Sequence, residues 1–587
     1  MSPSSAGTPN AGSESDRRRK EVGEGGGGGA LLGVDYIRSS STPVTKVVPH
    51  PPAYRTLNRH TAIMVLISLG ILGLALMRGV PAQSSSTSTA AAVPTGTPIS
   101  GDYTGAYRPR VHYTPPKGFM NDPNGLFLDP NGTWHLYYQY NPTDVVAGNQ
   151  HWGHATSPDL YRWTNQPIAL FPPNATSGVF SGSAVLDPNN TSGFFPNQTD
   201  GVVAMYTLNT PTAQVQEIAY STDGGYTFTP YEGNPVIDIG STQFRDPKVV
   251  RYQDHWVMVI AFASEWVIGV YTSPNLIDWT HASNISHIGL LGVQYECPNL
   301  VQVPVTGSGS TKESEGWVLT ISINPGAPLG GSITEYFAGE FNGTHFEPYD
   351  GAARLSNFAK DDYAGQFFYD QPVSIGWASN WQYTNEVPTA NEGWRSAMTL
   401  PRKNYLNNTG LGGYELVQEI YDLSPILGNN TIPQTNLVNS TASTTLPNVS
   451  ALYFDANITI PANSTFNSNA VFNFTFATGT GGESVKGGYR FAGTPANTIW
   501  LDRGNTNGFD SPFLTDKFSA SQVNRATRIQ GVVDRSLIEV YVDGGAVVGT
   551  MVVFPTEPLV QFDFESRNLP EGPEISFAAW ELVDTWA

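Results

Sequence analysis

Two textures of apolar and polar residues divide the chain. From about Tyr107 onward, short runs of aromatic and β-branched residues alternate with clusters of Gly, Pro, Asn and Asp, which is how strands between tight turns read in a sequence. Trp134–Tyr140, Val202–Leu208, Trp256–Phe262, Val267–Thr272 and Trp317–Ile323 are predicted strands, and beyond them Val471–Phe476 and Ser536–Val542. A weak repeat runs through the first group. Ala155–Trp163 resembles Val270–Trp279, and Ala219–Phe228 is a looser copy, so Ser157, Ser221 and Ser273 fall at equivalent places, 64 and 52 residues apart. Units of that length, each with several short strands and a Ser-x-Asp/Asn turn before an aromatic, have the look of propeller blades. The same turn chemistry also recurs by itself in all-β chains.

Before Tyr107 the rhythm is absent. Residues 1–60 are rich in Ser, Gly and Pro and lack apolar periodicity, the composition of a disordered tail. Thr61–Met77 carries no formal charge and approaches the length of a bilayer span. Arg17, Arg18, Arg19, Lys20, Arg38, Lys46, Arg55 and Arg59 precede it and Arg78 follows, so the positive-inside rule reads 61–79 as a type II anchor with a cytosolic tail. A signal peptide cut near Ala82 is the alternative. Residues 80–106 form a Ser/Thr/Pro-rich stalk. The body then divides into 107–418, a linker at 419–435 with a short helical or extended connector near Tyr414–Leu423, and a second all-β domain at 436–587, expected as a sandwich.

Composition narrows the function. A formal charge of -20 argues against nucleic acid, whose phosphates need a basic face. Cys297 is the only cysteine, so no intrachain disulfide can form. Glycosylation sequons begin at Asn131 and recur at Asn174, Asn189, Asn190, Asn197, Asn284, Asn342, Asn407, Asn429, Asn439, Asn448, Asn457, Asn463 and Asn473. Their absence before residue 131 favours a lumenal or extracellular glycoprotein body: cell surface, cell wall or vacuole.

Three short segments carry the chemistry. In Asn121-Asp122-Pro123-Asn124-Gly125 a carboxylate is set between amides and a proline; alone, this also reads as an Asx turn. Phe244-Arg245-Asp246-Pro247 sets a second beside a guanidinium, which should keep Asp246 ionised. Tyr295-Glu296-Cys297-Pro298 sets a third with no cation adjacent, making Glu296 the better candidate for a raised pKa. An ionised nucleophile beside a protonated acid would fit that contrast.

These segments, with Tyr138–Pro142, Trp152–Ser157, Phe180–Ser183, Gly376–Trp381 and Trp394–Ser396, resemble the signature blocks of glycoside hydrolase family 32, the invertase and fructan-processing enzymes. The resemblance covers roughly residues 107–587. It implies an all-β fold, a five-bladed β-propeller with its site in the central funnel followed by a C-terminal β-sandwich. It also implies a small sugar as partner and no metal or organic cofactor; oligomeric state is not implied. Carried over, Asp122 is the nucleophile, Glu296 the acid/base and Asp246 the transition-state stabiliser of a retaining β-fructofuranosidase. Asn121, Gln139, Ser181 and Arg245 are expected polar contacts to sugar, Phe180 and Trp377 apolar walls, and Asp361 a further acidic sugar-binding position. A fructosyltransferase or fructan exohydrolase shares these blocks. An inactive sugar-binding module would have lost a carboxylate, and all three are present. Phe119, the stretch Val146–Asn149 and Asp362 depart from aromatic residues common among such enzymes.

Overall fold

The computed structural model describes residues 100–586 apart from 312–313, 411–412, 447–450 and 493–496. The tail and anchor expected at 1–60 and 61–79, and most of the stalk, lie outside the described residues. Among the described residues the regular elements are β-strands and three short 3₁₀ turns, and no helix is long and apolar enough to cross a membrane.

Five antiparallel blades follow one another along the chain, the fourth and fifth joined where Val305–Gly307 pairs in parallel with Leu406–Asn408. Their innermost strands are Gly118–Leu128, Gly178–Leu186, Phe244–Tyr252, Tyr295–Gly307 and Tyr363–Phe367, and each pairs with the next strand in sequence so that the chain meanders outward. The five inner strands contact one another in cyclic order and the fifth returns to the first, which closes a ring of five blades. Trp394–Arg395 seals the closure by pairing in parallel with Gly118–Phe119. Strands at the axis have blades on both sides, which is why Gly118–Leu128 is buried almost throughout instead of alternating.

The repeat seen in sequence marks blade position. Ser157, Ser221 and Ser273 are each the last residue of the third strand in blades 1, 2 and 3. Each hydroxyl bonds the carboxyl or amide oxygen two residues on: Asp159 at 3.2 Å, Asp223 at 2.7 Å and Asn275 at 3.2 Å. That oxygen in turn accepts backbone N–H groups further along, such as Arg162, Thr227 and Asp278. One Asx/ST turn is thus used three times to send the chain into the outermost strand.

Blade 5 ends with Tyr414–Ile420, and a strand at Leu427–Asn436 already belongs to the next domain. The linker is therefore shorter than 419–435, and the expected connector is the outer strand of a blade. Two six-stranded antiparallel sheets form the second domain. Alternate residues Phe472, Phe474 and Phe476 of one strand and Phe562 and Phe564 of its neighbour face inward, meeting Phe454 and Phe577 from the opposite sheet. Ring centroids of Phe564 and Phe577 lie 4.5 Å apart. This period-2 row is the core of a β-sandwich.

Buried ion pairs fasten the sandwich to the ring. Asp361 is fully buried; it pairs with Arg503 at 2.7 Å, accepts the Val552 N–H at 2.9 Å and takes the Tyr383 hydroxyl. Its oxygens are engaged away from the ring's axis, which corrects the sugar-binding position expected of Asp361. The neighbouring Asp362 pairs with Arg402 at 2.6 Å, and Arg402 reaches Glu539 at 3.3 Å. A charged side chain here replaces an aromatic because it meets a cation at a domain junction.

Arg503→Leu leaves the Asp361 carboxylate buried and unpaired, and a loss of roughly 3–5 kcal/mol is expected as a lower urea midpoint. Adding Asp361→Leu should recover most of that loss.

Candidate active site

At the start of every inner strand the hydrogen-bond ladder slips. Register shifts fall between Met120 and Pro123, between Val179 and Gly182, opposite Asp246–Pro247, between Glu296 and Asn299, and between Tyr363 and Gln366. Three of these sites hold a proline, Pro123, Pro247 and Pro298, which has no N–H to give the ladder. The slip produces bulges, and bulges re-aim side chains. Asp246, Cys297 and Ala364 take left-handed backbone conformations, with φ of 66°, 46° and 52°. In blade 2 the slip rests on Gly182, where a Cβ would lie 2.1 Å from the Met205 carbonyl oxygen.

The re-aimed residues converge. The Cys297 sulfur lies 3.4 Å from Asp122 Oδ2 and 3.6 Å from Asp246 Oδ2, so one thiol spans both carboxylates. Asp246 Oδ2 also accepts the Cys297 N–H at 3.0 Å. Ser181 donates to Asp122 Oδ2 at 2.7 Å, while Asp122 Oδ1 is buried and accepts no hydrogen bond among the described residues. Glu296 precedes Cys297 on the same bulge. Arg245 donates to its Oε1 from Nε at 3.2 Å and Nη2 at 3.0 Å, and the Tyr363 hydroxyl donates to Oε2.

Two of the carboxyls, Glu296 and Asp246, share Arg245, and the cation lies nearer the one not expected of it. Arg245 pairs with Glu296 and stands 4.0 Å from Asp246. Burial pushes the Asp246 carboxyl up to about 7 against the pull of Arg245, with the charges of Glu296 and Asp122 adding to the rise. Asp122 is raised too, first by burial, with the Ser181 bond opposing and the Glu296 charge assisting. The expectation of a readily ionised Asp246 beside Arg245 and a cation-free Glu296 is therefore corrected. Sequence adjacency placed Arg245 next to Asp246, but a bulge sends consecutive side chains in different directions.

The remaining expected residues divide in two. Asn121 sits beside Asp122 and favours its ionised form, Ser181 binds it, and Phe180 is half-buried at the same slip in blade 2. Gln139 ties blade 1 to blade 2 through the Val179 carbonyl at 3.0 Å. Trp377, by contrast, is fully buried, its Nε1 donating to the Met120 carbonyl at 3.1 Å and to Ser396 Oγ. It supports Phe119 from behind and has no face free to act as a wall, which corrects that expectation. Trp381, partly exposed and packed against both rings, is the aromatic that remains accessible. Sequence reasoning also left out Tyr363, Cys297 and Gln294 as site residues. Each lay inside or beside a segment already singled out, but nothing local to them signalled contact across blades.

A small gap of about 10 Å³ lies among the same bulges, lined by Pro123, Ser181, Asp246, Lys248, Cys297 and Gln366. Among the described residues no group of three or more His, Cys, Asp and Glu side chains is arranged to hold a metal ion.

Carboxyls gathered around one thiol from two blades, with a third on the adjacent residue held by donors, are the equipment of a glycoside hydrolase. The chain belongs to glycosyl hydrolases family 32: the family's N-terminal domain matches residues 112–419 and its C-terminal domain residues 423–581. It is 40% identical over 522 residues to an invertase of Schizosaccharomyces pombe, covering 82% of this chain and 84% of that one. It is 41% identical over 487 residues to an extracellular exo-inulinase of Meyerozyma guilliermondii, covering 78% and 93%. Among solved structures, a β-fructofuranosidase of Schwanniomyces occidentalis complexed with fructosyl-erythritol superposes with a TM-score of 0.75 at 36% identity, over 83% of this chain and all of that one.

Since Ser181 favours the ionised form of Asp122, Ser181→Ala should raise that carboxyl further. The acid limb of kcat/KM is expected to move to higher pH by roughly one unit, because one charge-assisted bond and one pKa unit are of similar energy.

Proposed function

We propose that this protein is a retaining β-fructofuranosidase that cleaves terminal β-D-fructofuranosides such as sucrose. The observation that carries the reading is the convergence of Asp122 and Asp246, from two different blades, on Cys297 of a third, where Glu296 is the residue before it. Asp122 attacks the anomeric carbon with its unengaged oxygen, while Ser181 holds the other in place. Glu296, fixed by Arg245 and Tyr363 on its two oxygens, gives a proton to the departing sugar oxygen. A fructosyl ester on Asp122 results. Glu296 then takes a proton from the incoming water, the ester opens, and configuration at the anomeric carbon is kept after two inversions. Asp246, at the side of the same pocket, holds ring hydroxyls and opposes the positive charge that develops on the sugar. Another sugar in place of water gives transfructosylation by the same step.

The relatives, an invertase, an exo-inulinase and a β-fructofuranosidase, all support a fructosyl donor. We further propose a glycosylated body held outside the cytosol by the 61–79 anchor. The exposed side chains of Asn131, Asn174, Asn284, Asn342, Asn457 and Asn463 support this reading, since a transferred glycan needs that exposure.

Glu296→Gln is expected to lower kcat on sucrose by roughly 10²–10⁴, and Asp122→Asn to abolish measurable turnover, both with near-ultraviolet circular dichroism unchanged. Turnover by the Asp122 variant at the wild-type rate sinks the assignment. Glucose and fructose appearing in equal amounts across sucrose concentrations marks a hydrolase, and excess glucose with growing trisaccharide marks a transferase. Endoglycosidase treatment of the protein expressed from its own full-length sequence should increase its gel mobility; an unchanged band removes the proposed extracytosolic placement.

A further inference from the structure

Blade 4 carries a carboxylate where its apolar pattern asks for a hydrocarbon. Its third strand, Ile333–Phe341, turns Ile333, Phe337 and Phe341 into the core shared with blade 3, and Glu335 stands in the same alternating row. Glu335 is fully buried. Its Oε2 accepts the backbone N–H of Leu290 at 3.0 Å, and its Oε1 is buried without a partner among the described residues. Burial pushes this carboxyl up to about 7, opposed by the Leu290 bond. The titratable group facing it is Tyr295, whose hydroxyl is committed to the Ile288 carbonyl.

A half-satisfied buried acid destabilises a fold, and a leucine would suit the site better. What Glu335 holds gives it a purpose. Residues 287–294 link blade 3 to blade 4 and run straight into Glu296. Gly289 has φ of 72° and lies so close that a Cβ there would be 2.3 Å from Glu335 Oε2. Four residues after Leu290, Gln294 Oε1 accepts Arg245 Nη2 at 2.9 Å, and the same nitrogen donates to Glu296 at 3.0 Å. A chain of contacts therefore leads from Glu335 through the linking segment and Arg245 to the acid/base.

Resting on the enzymatic reading above, we propose that Glu335 is a positioning residue for the reaction: by anchoring Leu290 it fixes the 287–294 segment and, through Gln294 and Arg245, the orientation of the Glu296 carboxyl. Other contacts hold the same segment, the His287 N–H to the Trp266 carbonyl at 2.9 Å, Trp266 Nε1 to the Gly292 carbonyl at 3.2 Å and the Val293 N–H to the Pro325 carbonyl at 2.8 Å, and Glu335 is the anchor that reaches it from the core of blade 4.

The test compares Glu335→Leu with Glu335→Gln in the full chain. Leucine removes the anchor but suits the core, so the melting temperature should be no lower than wild type while kcat on sucrose falls roughly ten- to a hundredfold, the range expected of a misplaced catalytic group. Glutamine still offers an oxygen to Leu290 and should restore kcat to within about threefold of wild type. A raised carboxyl pKa contributes stability at low pH that is lost as pH rises through about 7. The melting temperature of wild type should therefore drop relative to Glu335→Gln between pH 5 and 8. Wild-type kcat in Glu335→Leu, or equal impairment in both variants, overturns the proposal. Should Glu335→Leu not fold, Gly289→Ala disturbs the same contact from the segment side, and an unaltered kcat there is equally decisive against it. Wild-type protein assayed alongside separates the two readings, since its failure to cleave sucrose would remove the enzymatic assignment and not the role of Glu335 alone.

Discussion

A proline cannot complete a β-ladder, and around the axis of this ring the incomplete ladders coincide with the chemistry. Pro123, Pro247 and Pro298 each follow a side chain that points into the site, and Gly182 and Gly365 stand at the corresponding slips of the other two blades. Regular pairing there would send alternate side chains into the neighbouring blades. The slip costs backbone hydrogen bonds and places Asp246 and Cys297 at positive φ, strain that the surrounding sheets are rigid enough to hold. Everything else about the site follows from five strands failing to pair at one level.

Bringing three carboxyls to one place raises an electrostatic difficulty that the protein resolves only in part. A single guanidinium, Arg245, serves the cluster and is spent mainly on Glu296. Asp122 keeps one hydroxyl donor and a neighbouring thiol, and Asp246 relies on the Cys297 N–H and that same thiol. Burial with so few donors raises both groups, so a pocket that holds both of them ionised is costly. Such a pocket favours a ligand that brings hydroxyl donors and develops positive charge. The site is thus less stable than it could be in the direction that a fructosyl transition state would reward.

At the junction with the sandwich the logic reverses, and each buried carboxylate meets a guanidinium. Asp361 with Arg503, and Asp362 with Arg402 and Glu539, join the ring to the sandwich with side chains almost wholly removed from water. These pairs specify where the second domain sits, while the phenylalanine rows of the sandwich supply its cohesion. Phe119, Trp377 and Trp381 form a small aromatic cluster with Tyr363 beside Cys297, with Trp377 braced on the Met120 carbonyl.

The amino-acid order alone determined a good deal. Strands and turns are local patterns, so Val202–Leu208, Trp256–Phe262 and Val471–Phe476 appear within a residue or two of where they are read, and the Ser-x-Asp/Asn repeat marks the same corner of three blades. The three carboxylates were legible because each sits in a compact block beside a proline. Tertiary structure alone decided which charge meets which. Arg245 leaves its neighbour in sequence for Glu296, 51 residues on, Asp361 turns to Arg503, 142 residues on, and Trp377, read as an apolar wall, is buried against Phe119. Those partners are set by where bulges aim side chains and by which blade or domain lies across the gap, and neither is a property of any stretch short enough to be read by itself.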